Sequence, residues 1–183
     1  MSCLKDQAKQ REFVDLLLEH KQDVSRITGT GRTLFHGLAG VEGFGLKSRL
    51  ARVALEQGVN PNAVDDRGYT PLHANATEFD DGLVDLEDLI ANGADINARN
   101  TQNYKRSTVI LDTVTKWRRH TAHHKNSRRL LDLGASYKAV DGRGNTILHR
   151  AASRPDLKIL SVLLQHGLHG LELGARNKKV RRS

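Results

Sequence analysis

The sequence predicts an all-α chain built from repeated helical units, and three observations predict it. First, a tetrapeptide recurs: Thr33-Leu34-Phe35-His36, Thr70-Pro71-Leu72-His73 and Thr146-Ile147-Leu148-His149. In each copy a glycine stands two residues before the threonine, at Gly31, Gly68 and Gly144. Second, a Leu-rich stretch ending in glycine recurs, closing at Gly58, Gly93, Gly134 and Gly167. Third, the two elements keep a frame, with 12 residues from Gly58 to Thr70 and from Gly134 to Thr146. A motif that returns at a fixed period marks a chain whose units stack on their neighbours.

The residue types suit helix ends. A threonine hydroxyl caps a helix N-terminus, and Pro71 then stands at the first helical position, where no N–H is needed. A glycine after a Leu-rich stretch is a left-handed helix stop. Asp65-Asp66-Arg67-Gly68 and Asp141-Gly142-Arg143-Gly144 are turn sequences that lead into the next helix.

Together these motifs resemble the ankyrin repeat over roughly residues 13 to 168. The resemblance implies an ankyrin-repeat solenoid: helix-turn-helix pairs joined by β-turn fingers, with the Thr-Pro-Leu-His element opening the first helix of each pair. It also implies that each motif histidine, His36, His73 or His149, bonds its own threonine and the backbone of a neighbouring turn. Asn62 and Asn97 are expected to brace hairpins, and the residues around Asn97 resemble the context in which ankyrin asparagines are hydroxylated.

The third repeat departs from the pattern. Val109-Ile110-Leu111-Asp112 is the best match to the tetrapeptide, 16 residues after Gly93. The finger before it, Asn100 to Arg106, is therefore expected to be long. From motif to closing glycine the spacing is 25 (33 to 58), 23 (70 to 93), 25 (109 to 134) and 21 (146 to 167) residues, and only the last matches the family. Repeats one to three are thus expected to carry insertions. The resulting division is an N-terminal capping helix or half repeat over 1–28, the array over 29–173, and a basic disordered tail over 174–183. Leu168, Leu171 and Leu173 are expected to fold back as a short C-terminal cap.

Composition limits the function classes. Of 183 residues, 38% are apolar and 4% aromatic, so the core must rest on Leu, Val, Ile and Ala. No apolar run is long enough to span a bilayer, and the mixed N-terminus does not read as a signal peptide. A single cysteine allows no internal disulfide, which favours a reducing compartment. The expected location is the cytoplasm, with the nucleus as the alternative.

The formal charge of +8 is unevenly spread. Glu78 to Asp88 holds six acidic residues, and Lys116 to Arg129 holds six Lys or Arg and three His. Alignment on the closing glycines sets Glu87 between Arg52 and Arg128, with Asp88 opposite Arg129, as a ladder of opposite charge. His120, His123 and His124 have metal-compatible spacing but no further ligand nearby, so no metal and no cofactor are expected. Gly40 to Gly45 lacks the strand and the Lys-Ser/Thr of a phosphate loop. With no convergent nucleophile, base and acid, the chain is read as not an enzyme.

The expected function is binding of another protein through the fingers and the concave face. The partner-binding candidates are Arg67, Tyr69, Gln102, Asn103, Tyr104, Lys105, Arg106, Arg143 and Asn145, since Tyr and Arg are enriched at binding hot spots. Their charge implies a partner with an acidic surface, bound by a monomer. An alternative is association with nucleic acid through Lys116, Trp117, Arg118 and Arg119 and the tail, whose Lys178, Lys179, Arg181 and Arg182 read as a short nuclear import signal. A further alternative is a pathogen effector or a mimic of an inhibitor of Rel-type transcription factors.

Overall fold

The structure is a computed structural model that describes residues 9, 12, 15, 16, 19, 20, 27–38, 44–78, 86–101, 106–115, 123–153, 157–167 and 174–178. Its helices follow the predicted pairs. Repeat one holds α1 (Leu34–Gly37) and α2 (Phe44–Glu56), and repeat two holds α3 (Pro71–Glu78) and α4 (Leu86–Ala91). Repeat three holds α5 (Val109–Thr115) and α6 (His123–Asp132), and repeat four holds α7 (Ile147–Ser153) and α8 (Leu157–Gln165). Among the described residues there is no strand, only one isolated bridge between Arg99 and Thr108. Of the expected N-terminal helix, Lys9, Glu12, Asp15, Leu16 and Glu19 are described, all helical, and Asp15 pairs with Arg49 of α2 at 2.7 Å.

The stacking is consecutive. The first helices pack in order, α1 on α3, α3 on α5 and α5 on α7, while α6 packs on α8. Their inner faces build one apolar core from Phe35, Leu72, Leu86, Ile110, Leu111, Leu130, Ile147 and Leu163, all essentially buried. Each second helix stops at a glycine with positive φ, from 58° at Gly167 to 91° at Gly93. The next N–H then turns back onto the helix, as Ala94 does to the Leu89 carbonyl at 2.9 Å.

The histidine clasps form as the resemblance implies. His36 Nδ1 accepts the Thr33 N–H at 3.1 Å, so the ring proton sits on Nε2, which donates to the Tyr69 carbonyl at 3.0 Å. His73 Nε2 donates likewise to the Ser107 carbonyl at 3.3 Å, while Nδ1 meets the Thr70 hydroxyl at 2.8 Å. Each clasp therefore reads from one repeat into the next. Asn62 and Asn97 brace across the same boundaries: Asn62 Oδ1 accepts from the Asp95 N–H at 2.7 Å, and Asn97 Oδ1 from the Ser136 N–H at 2.8 Å.

Repeat three corrects the sequence alignment by one residue. The Asp112 N–H bonds the Thr108 carbonyl, just as Ala74 bonds Thr70 and Arg150 bonds Thr146. Thr108, not Val109, therefore holds the threonine place, 15 residues after Gly93, and Leu111 holds the histidine place, fully buried. The missing histidine leaves the buried Thr108 hydroxyl without a hydrogen-bond partner. An unpaired buried hydroxyl costs about 1–3 kcal/mol, whereas a paired one removed strands its partner. Thr108→Val is accordingly expected to leave the chain as stable or up to about 1 kcal/mol more stable, while Thr70→Val lowers stability by about 1–2 kcal/mol. Urea unfolding of both variants checks this, and equal losses would contradict it.

The charge ladder is also shifted. Glu87 pairs with Arg129 rather than Arg128, at 2.5 Å, and Arg129 Nε donates to Glu87 at 2.6 Å. Arg128 instead donates to the Gln165 side chain. Side chains at identical frame positions leave neighbouring parallel helices in the same direction, so the pair that meets lies one residue along.

The candidate binding edge

The fingers precede the first helices, and a buried carboxylate organises two of them. Asp65 accepts the backbone N–H groups of Arg67 and Tyr69, both at 2.9 Å, and faces Arg67 at 3.3 Å and Arg32 at 3.4 Å. Asp141 repeats the arrangement with the N–H groups of Arg143 and Asn145, both at 2.8 Å. It also meets the Asn145 amide at 2.8 Å and the Arg150 guanidinium at 2.5 Å. Burial pushes both carboxyls up, but the hydrogen bonds and the neighbouring arginine charge outweigh it and hold both below the usual carboxylate range.

In the third finger this place belongs to Asn100. Its Oδ1 accepts the Ser107 N–H at 3.2 Å, and its amide donates to Asp112 at 2.7 Å. Asp112 and Arg150 occupy the same frame position. Repeat three has thus exchanged a carboxylate–guanidinium pair for an amide–carboxylate pair, with the charge moved from finger to helix. Between Asn100 and Ser107 lie three more residues than between Asp65 and Tyr69. This finger is longer, as expected, by three residues rather than four.

Neighbouring fingers are stitched backbone to backbone. The Asp66 N–H donates to the Thr30 carbonyl at 3.0 Å, and the Thr101 N–H to the Gly68 carbonyl at 2.9 Å. Gly31 is required at the first seam: its φ is 72°, and a Cβ there would lie 2.9 Å from Asp66 Oδ1 and 3.2 Å from the Asp65 Cα. At the third seam the Arg99 side chain makes the link, donating to the carbonyls of Arg106 at 2.8 Å and Val140 at 2.7 Å.

The predicted binding residues fall unequally on this edge. Arg67, Arg106 and Arg143 are exposed. Tyr69 is not, and this corrects its expected place on an exposed finger. It is 7% exposed, with its ring tilted against His73 and the Arg67 guanidinium 5.7 Å from its centroid. It sits next to the clasp, packed between His73 and Arg67. Asn145 is half-buried between Asp141 and Asn177. Arg106 occupies the place of Gly31, Gly68 and Gly144 with a positive φ of 38°, a conformation unfavourable for a side chain. Gln102, Asn103, Tyr104 and Lys105 lie outside the described residues, as do Lys116, Trp117, Arg118 and Arg119.

The tail begins differently from the expected disordered segment. The Lys178 N–H donates to the Arg143 carbonyl at 2.9 Å, and its Nζ to the Gly142 carbonyl at 2.8 Å. The Asn177 amide donates to Asn145 Oδ1 at 2.8 Å. Residues 174–178 therefore lie on finger four with a backbone hydrogen bond like those that tie fingers two and three to the ones before. The signal was present in the sequence: Gly174-Ala175-Arg176-Asn177 echoes Asn97-Ala98-Arg99-Asn100, displaced from the closing glycine by three residues. Lys179, Arg181 and Arg182 lie outside the described residues.

Two family models match the chain: ankyrin repeats in many copies over residues 116–167, and the single ankyrin repeat over residues 67–101. The chain is an ankyrin-repeat protein. It is 35% identical over 114 residues to mouse ankyrin repeat and SOCS box protein 6, a match covering 61% of this chain and 25% of that protein. It is 42% identical over 45 residues to an ankyrin repeat-containing protein of Schizosaccharomyces pombe, covering 25% of this chain and 21% of the relative. The chain spans about a quarter or less of the length of these curated relatives. Ankyrin repeats are in general protein–protein interaction modules. Among the described residues no helix is long and apolar enough to cross a membrane, and no three His, Cys, Asp or Glu side chains gather as a metal site.

Proposed function

We propose that this ankyrin-repeat chain is a non-catalytic module that binds an acidic protein surface along its finger edge and concave face. The observation that carries the reading is the stitched row of fingers. Backbone and buried side-chain bonds fix its base, while Arg67, Arg106 and Arg143 stay exposed at neighbouring frame positions. A rigid base lowers the ordering cost of binding, and exposed cations of one sign steer an acidic partner. Arg106 adds weight because it keeps a side chain where the other fingers carry glycine. The working compartment is the cytoplasm, with the nucleus as the alternative, and the working state is a monomer.

Replacing Arg67, Arg106 and Arg143 by Glu is expected to weaken partner capture by at least about tenfold, since hot-spot losses reach 2 kcal/mol or more each. Affinity purification of tagged wild type and triple variant, compared by quantitative mass spectrometry, measures it. Arg106→Gly separates charge from backbone, because it removes the guanidinium while relaxing φ. Unchanged capture by both variants would remove the finger edge from the proposal. The nucleic-acid reading has less support: Lys178 of its tail is engaged with carbonyls of finger four. Binding to a nucleic-acid column that falls steeply with salt would revive it.

A further inference from the structure

The interior of the stack shows what its outer end lacks. Counting back four residues from each closing glycine gives Ala54, Leu89, Leu130 and Leu163, and all four are buried. Counting back three gives Leu55, Ile90, Leu131 and Leu164. Leu55 and Ile90 are partly buried against the core, and Leu131 is 8% exposed, but Leu164 is 70% exposed. Leu157, two turns earlier on α8, is 82% exposed. Leu160 lies between them, and Leu148 of α7 holds the frame position where Leu72 and Ile110 are fully buried. Leu157, Leu160 and Leu164 stand at i, i+3 and i+7 and form one stripe.

Two further features point outward from this face. His149 keeps its clasp with Thr146, its Nδ1 accepting the Thr146 N–H at 3.4 Å, so its Nε2 carries the proton that His36 and His73 give to the next repeat. Among the described residues that Nε2 has no hydrogen-bond partner. Residues 174–178 already lie on finger four in the place of a fifth finger. The apolar stripe, the unused donor and the extra finger all mark a stacking interface continued past its last helix pair.

We infer that this end face is a second interface, separate from the finger edge, and that it receives an amphipathic helix of a partner protein with leucine-like residues on one side and acidic residues on its flanks. The charge selects that occupant. Neither α7 nor α8 contains Asp or Glu, and their charged or basic side chains are Arg150, His149 and the exposed Lys158. A second copy meeting this face through its own would set like charges together, which disfavours self-association. An apolar helix laid against the stripe buries Leu157 and Leu164 in the helix-in-groove manner, and a carboxylate or carbonyl on it can accept from His149 Nε2.

The test uses the full chain and a synthetic fluorescent helical peptide with leucines at i, i+3, i+4 and i+7 and glutamates flanking them, followed by fluorescence anisotropy. Saturable binding is expected, weakened about tenfold or more by Leu157→Glu with Leu164→Glu, and similarly when the peptide glutamates become lysines, as a buried leucine contact and a complementary charge set each imply. The finger-edge triple variant should bind the peptide as wild type does, which separates this interface from the finger reading. Both leucines are exposed, so the double variant should keep the wild-type unfolding temperature; Leu164→Gln serves as a milder second variant. Absence of saturable binding, equal binding by the leucine variants, or equal affinity for both peptides overturns the inference. So does sedimentation equilibrium showing self-association that Leu164→Gln abolishes. A rise in peptide affinity when Leu168, Leu171 and Leu173 become serine would assign the face to the chain's own segment and overturn it as well.

Discussion

Asp141→Ala is expected to destabilise the chain by about 3–5 kcal/mol, because removing one member of a buried ion pair leaves the other charge uncompensated. The Asp141 side chain is fully buried and Arg150 is 17% exposed, so water cannot replace the lost partner. The same change frees the N–H groups of Arg143 and Asn145 and loosens finger four, on which residues 174–178 lie. Chemical denaturation measures the global loss, and hydrogen exchange at Arg143, Asn145 and Lys178 shows whether finger and tail loosen together. A loss below about 1 kcal/mol, the range of an exposed pair, would mean that the pair is solvated.

The same carboxylates give the fold an acid limit. Asp141 and Asp65 have folded values below their ordinary 3.8, so their stabilisation is fully present above that value and is lost as pH falls through the lower folded values. Thermal unfolding of the wild type should therefore worsen steadily below about pH 4. Asp141→Asn should begin less stable at neutral pH and lose less on acidification. Parallel pH profiles for the two proteins would show that Asp141 does not contribute to the acid limit.

His73→Ala is the second large effect, at about 2–4 kcal/mol, from the cavity left by a buried ring together with the loss of its hydrogen bonds to the Thr70 hydroxyl and the Ser107 carbonyl. For a chain of this size that corresponds to a fall in unfolding temperature on the order of 10 °C. His149→Ala is the internal control. It carries the same motif but is only partly buried and clasps no further repeat among the described residues, so about 1 kcal/mol is expected. If the two substitutions cost the same, the interrepeat bond of His73 contributes nothing and the clasp serves only its own helix cap.

What could be read in advance follows from where the information lies. Thr70-Pro71-Leu72-His73 carries its cap, its first helical residue, its inward leucine and its clasp within four consecutive positions, so the sequence alone shows the unit. Repeat three hides the same signal. Arg106 stands where the marker glycine should be, and Leu111 replaces the histidine. Asp112 then mimics a shifted motif, while its real partner is Asn100, 12 positions earlier. Tyr69 reads as exposed because turns usually are, yet it is buried beside His73 and Arg67.

By itself the sequence determined the all-α class, the repeat unit, the clasp residues and the helix stops, because the residues that mark them stand together within one unit or adopt backbone conformations that particular residues demand. Tertiary structure alone decided the one-residue register of repeat three, the partner of Glu87, the burial of Tyr69 and the attachment of Asn177 and Lys178 to finger four. Each of these depends on which groups meet in space, within a repeat or across to a neighbouring one, and that meeting is not written in the spacing along the chain.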